Sequence, residues 1–167
     1  MNLSVTYIKS RRSVRKYKET PVPKEAIHDA LECARLAPTA RNAQPWQIGV
    51  VTDRDTLEKL GELASHGKFI ADAAVCFAVF SESEHKFCVE DGCAATMQII
   101  FGLLSHGVYS CWVAGNNMDY AEDVRKLLNV PEKYSLISLI PAGYPADITI
   151  PEKKVIDDIV FYEEWKE

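Results

Sequence analysis

The chain alternates between two hydrophobic rhythms. After Pro23, the residues Ile27, Leu31 and Ala34 recur at helical spacing, and Pro38 closes the run, which predicts a helix over KEAIHDALECARLA. Trp46–Thr52 (WQIGVVT) reads as a strand, and Asp53–Ala64 as a helix. Ala73–Phe80 (AAVCFAVF) is apolar throughout at strand length, the pattern of a central strand buried on both faces. A long helix follows from about Cys88 to His106 and stops at Gly107. Ser110–Ala114 and Ser135–Ile140 read as further strands, with a short helix over Tyr120–Leu128 between them. Strands and helices alternate through irregular loops, with no internal repeat, low-complexity tract or linker. The pattern predicts an α+β sandwich with helices packed on a central sheet, in one domain spanning 1–167.

The long helix adds one expectation. Met97, Ile100, Phe101 and Leu104 line one face, while Cys93, Ala94, Ala95, Ile99 and Leu103 make most of the remainder apolar. Such a helix needs cover on several sides. A second copy of the chain supplies that cover in one reading, full burial inside a single chain in the other.

At 47% hydrophobic and 26% charged residues, the composition is that of an ordinary globular protein. The net charge of -5 argues against a general nucleic-acid binder. The charge is uneven, because Lys9, Arg11, Arg12, Arg15, Lys16 and Lys18 are the only charged side chains up to Lys18. That segment reads as a local anion site or as a solvated basic face. The longest apolar stretch, Cys93–Leu104, is too short and too interrupted to span a bilayer, and MNLSVTYIKSRR lacks the apolar core of a signal peptide. Five cysteines without a CxxC indicate neither a disulfide framework nor a zinc site, and a cytoplasmic protein with reduced thiols and no metal is expected.

Four motifs carry candidate chemistry. Arg11-Arg12-Ser13-Val14-Arg15 offers paired guanidinium donors and a hydroxyl, a set that matches phosphate oxygens. In Ala37–Trp46 (APTARNAQPW), two prolines stiffen a loop whose Asn42 and Gln44 carry the donors and acceptors needed to read a heterocycle edge, or to bond the loop's own backbone. Gly107–Gly115 (GVYSCWVAG) ends a strand in small residues that let a ligand approach the backbone. Ile140–Pro145 (IPAGYP) precedes a tail holding Lys153 and Lys154.

In this order and over essentially the whole chain, including the closing IDDIVFYEEW, the four motifs resemble the nitroreductase family of FMN-dependent NAD(P)H oxidoreductases, and this chain its short members. The resemblance implies a mostly antiparallel central sheet with helices on both sides, in a homodimer with an exchanged carboxy-terminal tail. It implies that Arg11, Arg12, Ser13 and Arg15 hold the FMN phosphate, ribityl chain and pyrimidine edge. Pro38, Thr39, Ala40 and Asn42 would reach FMN from the partner subunit; Thr39 and Ala40 replace the family's double serine, and Ala40 lacks the hydroxyl. Val113, Ala114 and Gly115 would lie near flavin N5, and Pro141, Ala142 and Gly143 beside the ring system. Lys153 or Lys154 takes the place of the family's basic tail residue at the phosphate, and His66 falls where relatives place a flavin-contacting asparagine. The implied reaction is ping-pong hydride transfer from NAD(P)H to a nitroaromatic, quinone or enone, with Arg15 stabilising charge at the flavin's pyrimidine edge and an N–H of Ala114 or Gly115 orienting N5. Reductive dehalogenation, flavin breakdown and FMN storage without turnover are the competing readings.

Overall fold

The computed structural model of the protein describes residues 2–165. In chain order the elements are α1 (Leu3–Ser10), α2 (Lys24–Arg35), β1 (Trp46–Val51), α3 (Arg54–Leu63), β2 (Val75–Glu82), α4 (Cys88–Ser105), β3 (Tyr109–Ser110), β4 (Val113–Ala114), α5 (Ala121–Leu127) and β5 (Tyr134–Gly143). The sheet runs β1-β2-β5-β3, with β4 also on β5, and all its strand pairs are antiparallel.

β2 explains the two-layer build. Because side chains alternate along a strand, Val75, Phe77 and Val79 enter the core shared with α2 and α4. Cys76, Ala78 and Phe80 enter the opposite core, with Leu57 and Leu60 of α3 and Val124 of α5. The continuous apolar run is therefore required on both faces, as its sequence predicts. On α2 the deepest stripe is Ala26, Ala30 and Ala34, with Ile27 and Leu31 packed at its flank. Small residues are needed there because α4 crosses closely: a Cβ on Gly102 would stand 2.7 Å from Ala30 Cα.

Two departures from the sequence pattern have clear causes. The strand expected over Ser110–Ala114 is split into β3 and β4, yet both halves pair with β5 in one register, Ser110 opposite Ala142 and Val113 opposite Leu139. Cys111 N–H donates to Pro141 O at 3.2 Å, but Pro141 has no N–H to return, so the ladder is interrupted at that pair. The second departure is α1, capped by Asn2, whose side chain accepts the Val5 N–H at 3.2 Å. None of its residues is buried, so no amphipathic stripe announces it.

Candidate functional site

The Arg11–Lys18 segment lies along the outer edge of the sheet. Val14 N–H donates to Ser110 O at 3.0 Å beside β3, and Lys18 N–H donates to Tyr144 O at 2.9 Å beyond β5. Tyr17 anchors the middle. Its buried hydroxyl bridges Val14 O at 2.7 Å and Pro141 O at 2.9 Å, and its ring covers Gly143, where a Cβ would meet it at 3.1 Å. This clamp brings together two of the four motifs, the arginine segment and Pro141–Gly143. The latter is part of strand β5, which ends at Gly143, and Pro145 just beyond it forms an isolated bridge to Tyr17.

The arginines themselves stay partly or wholly exposed. Arg11 donates to Ser13 Oγ at 3.3 Å. Arg12 donates to Lys9 O and Arg11 O, both at 2.7 Å. Arg15 lies over the Phe69 ring, 5.9 Å from its centroid. Among the described residues none of the three forms an ion pair. Guanidiniums left without carboxylate partners are available to an anionic ligand. Burial pushes the neighbouring Cys111 thiol above its usual range, against the opposing pull of Arg15, Ser13 and Arg11.

Arg15 also lines a cleft of about 160 Å³ with His66, Phe69, Trp112 and Ala114. The third motif thus joins the first through Ala114. Gly115 is adjacent but differently employed: its N–H donates to Ile137 O at 3.0 Å, and a Cβ there would stand 2.6 Å from Leu136 Cγ. Packing against β5 demands glycine at this position, and Ala114 is the exposed residue of the pair. Val113 is buried in the wall. Phe69 and Tyr120, whose hydroxyl donates to Ala114 O, were not legible as site residues in the sequence, since they lie outside every motif. A larger cavity, about 760 Å³, is lined by Tyr17, Lys18, Val22 and Arg54 among others.

Two groups of expected residues are not brought here within one chain. Lys153 and Lys154 stand exposed on the carboxy-terminal arm. The loop with Pro38, Thr39, Ala40 and Asn42 joins the far end of the sheet, where Glu82 N–H donates to Pro45 O at 3.0 Å. The arginine segment reaches β2 at its Val75 end, through Ser110 and Ala142. At roughly 3.4 Å per residue, the length of β2 puts the two motifs on the order of 20 Å apart along the strands. Three of the loop's residues, Arg41, Asn42 and Gln44, have φ of 56°, 57° and 50°. Non-glycine residues in this region cost about 1 kcal/mol or more each and persist where surrounding structure holds them.

Comparison with known proteins identifies the family and the fold. The model of the nitroreductase family matches residues 8–83 and 64–144. A protein of Methanothermobacter thermautotrophicus, provisionally assigned as an NADH dehydrogenase/NAD(P)H nitroreductase, is 34% identical over 95% of this chain and 85% of its own. An FMN-dependent nitroreductase from Clostridium difficile R20291 superposes with a TM-score of 0.90 at 27% identity, covering 96% of this chain and 99% of that one. An iodotyrosine deiodinase of Thermotoga neapolitana is 26% identical over 88% of this chain and 91% of its own. With the family model spanning most of the chain and the same fold in a solved relative, this protein belongs to the nitroreductase family.

Proposed function

We propose that the chain is one FMN-binding domain, 1–167, of a homodimeric, cytoplasmic oxidoreductase that passes hydride from NAD(P)H to a small acceptor such as a nitroaromatic, quinone or enone. The observation that carries this reading is the set of three guanidiniums, Arg11, Arg12 and Arg15, without carboxylate partners among the described residues, on one short segment that Tyr17 fixes to β5 and from which Arg15 enters the Ala114 cleft. The fit to FMN is chemical: a dianionic phosphate monoester needs such donors, and the chain has no GxGxxG turn for the pyrophosphate of FAD. FMN, when bound, supplies the two-electron chemistry.

The protein's own residues bind and orient. Arg11, Arg12 and Ser13 hold the phosphate end, with Lys153 or Lys154 as the tail's contribution. Arg15, kept in place over Phe69, presents positive charge to the pyrimidine edge. Ala114 lines the N5 side, since the Gly115 N–H is committed to Ile137 O. Pro141–Gly143 supports the ring system from beneath the Tyr17 clamp.

Size and distance support a second subunit. A cleft of about 160 Å³ is well below the ~300–1,000 Å³ of a typical small-molecule site, and the 38–44 loop is too far along the sheet to close it from within the same chain. Apolar surface is also left uncovered. α2 covers a second flank of α4, leaving a half-buried strip with Cys93, Met97 and Phe101 and an exposed Val89 in its first turn. The carboxy-terminal arm, in contrast, exposes Ile150, Ile156, Ile159, Phe161 and Trp165. A partner to embrace accounts for that arm better than solvent does. The five unpaired cysteines suit a reducing compartment.

The likeness to a deiodinase supports reductive dehalogenation as the second reading. That relative matches over nearly its full length, so a compact chain without an inserted lid does not argue against it. The test is direct. The protein is expected to purify yellow, to release FMN and not FAD by mass spectrometry, and to be reduced rapidly by NADH or NADPH in anaerobic stopped flow. Reoxidation by quinones and nitroaromatics, compared with halogenated phenols, assigns the acceptor class. Finding FAD, or no reduction by either nicotinamide, overturns the proposal.

A further inference from the structure

Among the described residues, the strained 38–44 loop has a single external hydrogen-bonded tether. Its other hydrogen bonds are internal: Asn42 N–H to Thr39 O at 3.2 Å, Ala43 N–H to Ala40 O at 3.1 Å, Gln44 N–H to Thr39 Oγ1 at 3.3 Å and Gln44 Nε2–H to Asn42 O at 3.1 Å. Among the described residues, the one hydrogen bond that reaches it from elsewhere is Ala40 N–H to Asp91 Oδ1, 3.1 Å. Asp91 sits in the first turn of α4 and is 5% exposed. Its second oxygen, Oδ2, accepts from His85 Nε2–H at 3.0 Å. The carboxylate is therefore bridged: one oxygen held by the β2–α4 turn, the other holding the loop. A buried carboxylate so paired is costly to leave half-satisfied. It also fixes the start of a segment in which three residues adopt left-handed backbone angles.

We propose that Asp91 is a positioning residue for the cofactor site of the other subunit. It touches neither the arginine segment nor the Ala114 cleft of its own chain. It sets the conformation in which the loop that begins at Pro38 crosses to the partner's flavin, and His85 sets the orientation of the carboxylate. The inference rests on the two-subunit FMN site proposed above.

The test uses variants that remove the acceptor, Asp91→Ala and the nearly isosteric Asp91→Leu, beside Asp91→Asn, which keeps one. The first two are expected to weaken FMN binding on the order of tenfold to a hundredfold, with Asp91→Asn closer to the wild type. A merely structural role would not show the next effect. In a mixed dimer, prepared with two different affinity tags, one chain carries Asp91→Leu and the other Arg11→Ala with Arg15→Ala. If Asp91 serves the partner's site, one of the two sites receives an intact arginine cluster and an intact loop. One FMN per dimer then binds with wild-type affinity, although neither parent homodimer holds FMN well. If Asp91 acts within its own chain's site, or only on the fold, both sites stay defective and the proposal is overturned. Wild-type FMN affinity in both the Asp91→Ala and Asp91→Leu homodimers also overturns it, while leaving the FMN reading intact. A wild-type protein that binds no FMN defeats that reading first, and this proposal with it.

Discussion

Arg11 and Arg15 lie four positions apart in one basic segment but meet different surroundings, and their substitutions should separate. Arg11 faces Ser13 at the outer edge, whereas Arg15 is held over Phe69 in the Ala114 cleft. Each Arg→Ala change removes charge-assisted contacts of about 1.5–3 kcal/mol and should weaken FMN binding roughly tenfold to a hundredfold. Only Arg15→Ala should also lower the flavin's reduction potential, measured by redox titration of the reconstituted variants. Equal potentials would remove the pyrimidine-edge role of Arg15. Gly115 makes a different prediction. It reads in the sequence as a residue kept small for a ligand, but its missing side chain makes room for Leu136 and the Ile137 carbonyl carbon, 2.6 and 3.0 Å from an ideal Cβ. Gly115→Ala should therefore destabilise the protein even without cofactor, by about 1–3 kcal/mol, seen as a lower apo-protein Tm. An unchanged apo Tm with weakened FMN binding would return Gly115 to a ligand role.

Between elements, the α2–α4 contact combines close packing with a polar latch. His106, just past α4, donates from Nε2 to Asp29 Oδ2 of α2 at 2.8 Å. That hydrogen bond is the main cause holding the Asp29 carboxyl below the usual range, with His28 adding a smaller pull. A carboxyl depressed in the folded state stabilises above its unfolded pKa, about 3.9. The contribution is lost as pH falls through the lower folded value. Asp29→Asn should thus lower Tm modestly at pH 7, and the gap from the wild type should close as the pH is taken well below 3.9. A gap that persists in acid would assign the effect to packing. The same helices show how far pattern reading reaches. The period of α2 places Ile27, Leu31 and Ala34 toward the core, but the alanine stripe lies deepest because Gly102 of α4 abuts Ala30. Periodicity locates a face, and the partner's shape decides its centre.

At the scale of the molecule, the proposed dimer has measurable consequences. The exposed apolar arm and the separated motifs call for an interface of more than ~2,000 Å² in total. Sedimentation velocity should show a dimer across a wide concentration range, and Tm should rise with both protein and FMN concentration because folding, association and binding are linked. Removing residues 147–167 should yield a monomer that holds FMN poorly. A truncated chain that remains a dimer with full FMN would move the interface elsewhere.

Most of the architecture is present in the amino-acid order itself. The AAVCFAVF run can be buried on both faces only inside a two-layer fold, and Pro23, Pro38 and Gly107 punctuate helices wherever they occur. The basic segment and the small residues at Ala114–Gly115 were legible because charge and size are local properties. Other features depend on partners distant in sequence. Pro141 interrupts a strand some thirty residues before it, because the missing N–H is that of the neighbouring strand. Tyr17 and Asp91 lie outside every motif as a sequence shows them, and their contacts are with carbonyl and amide groups that folding carries to them across more than fifty positions. The separation of the arginine segment from the 38–44 loop is likewise invisible along the chain. It is set by which end of β2 each one joins, and backbone pairing across the sheet, a long-range hydrogen-bonded contact, is what decides that.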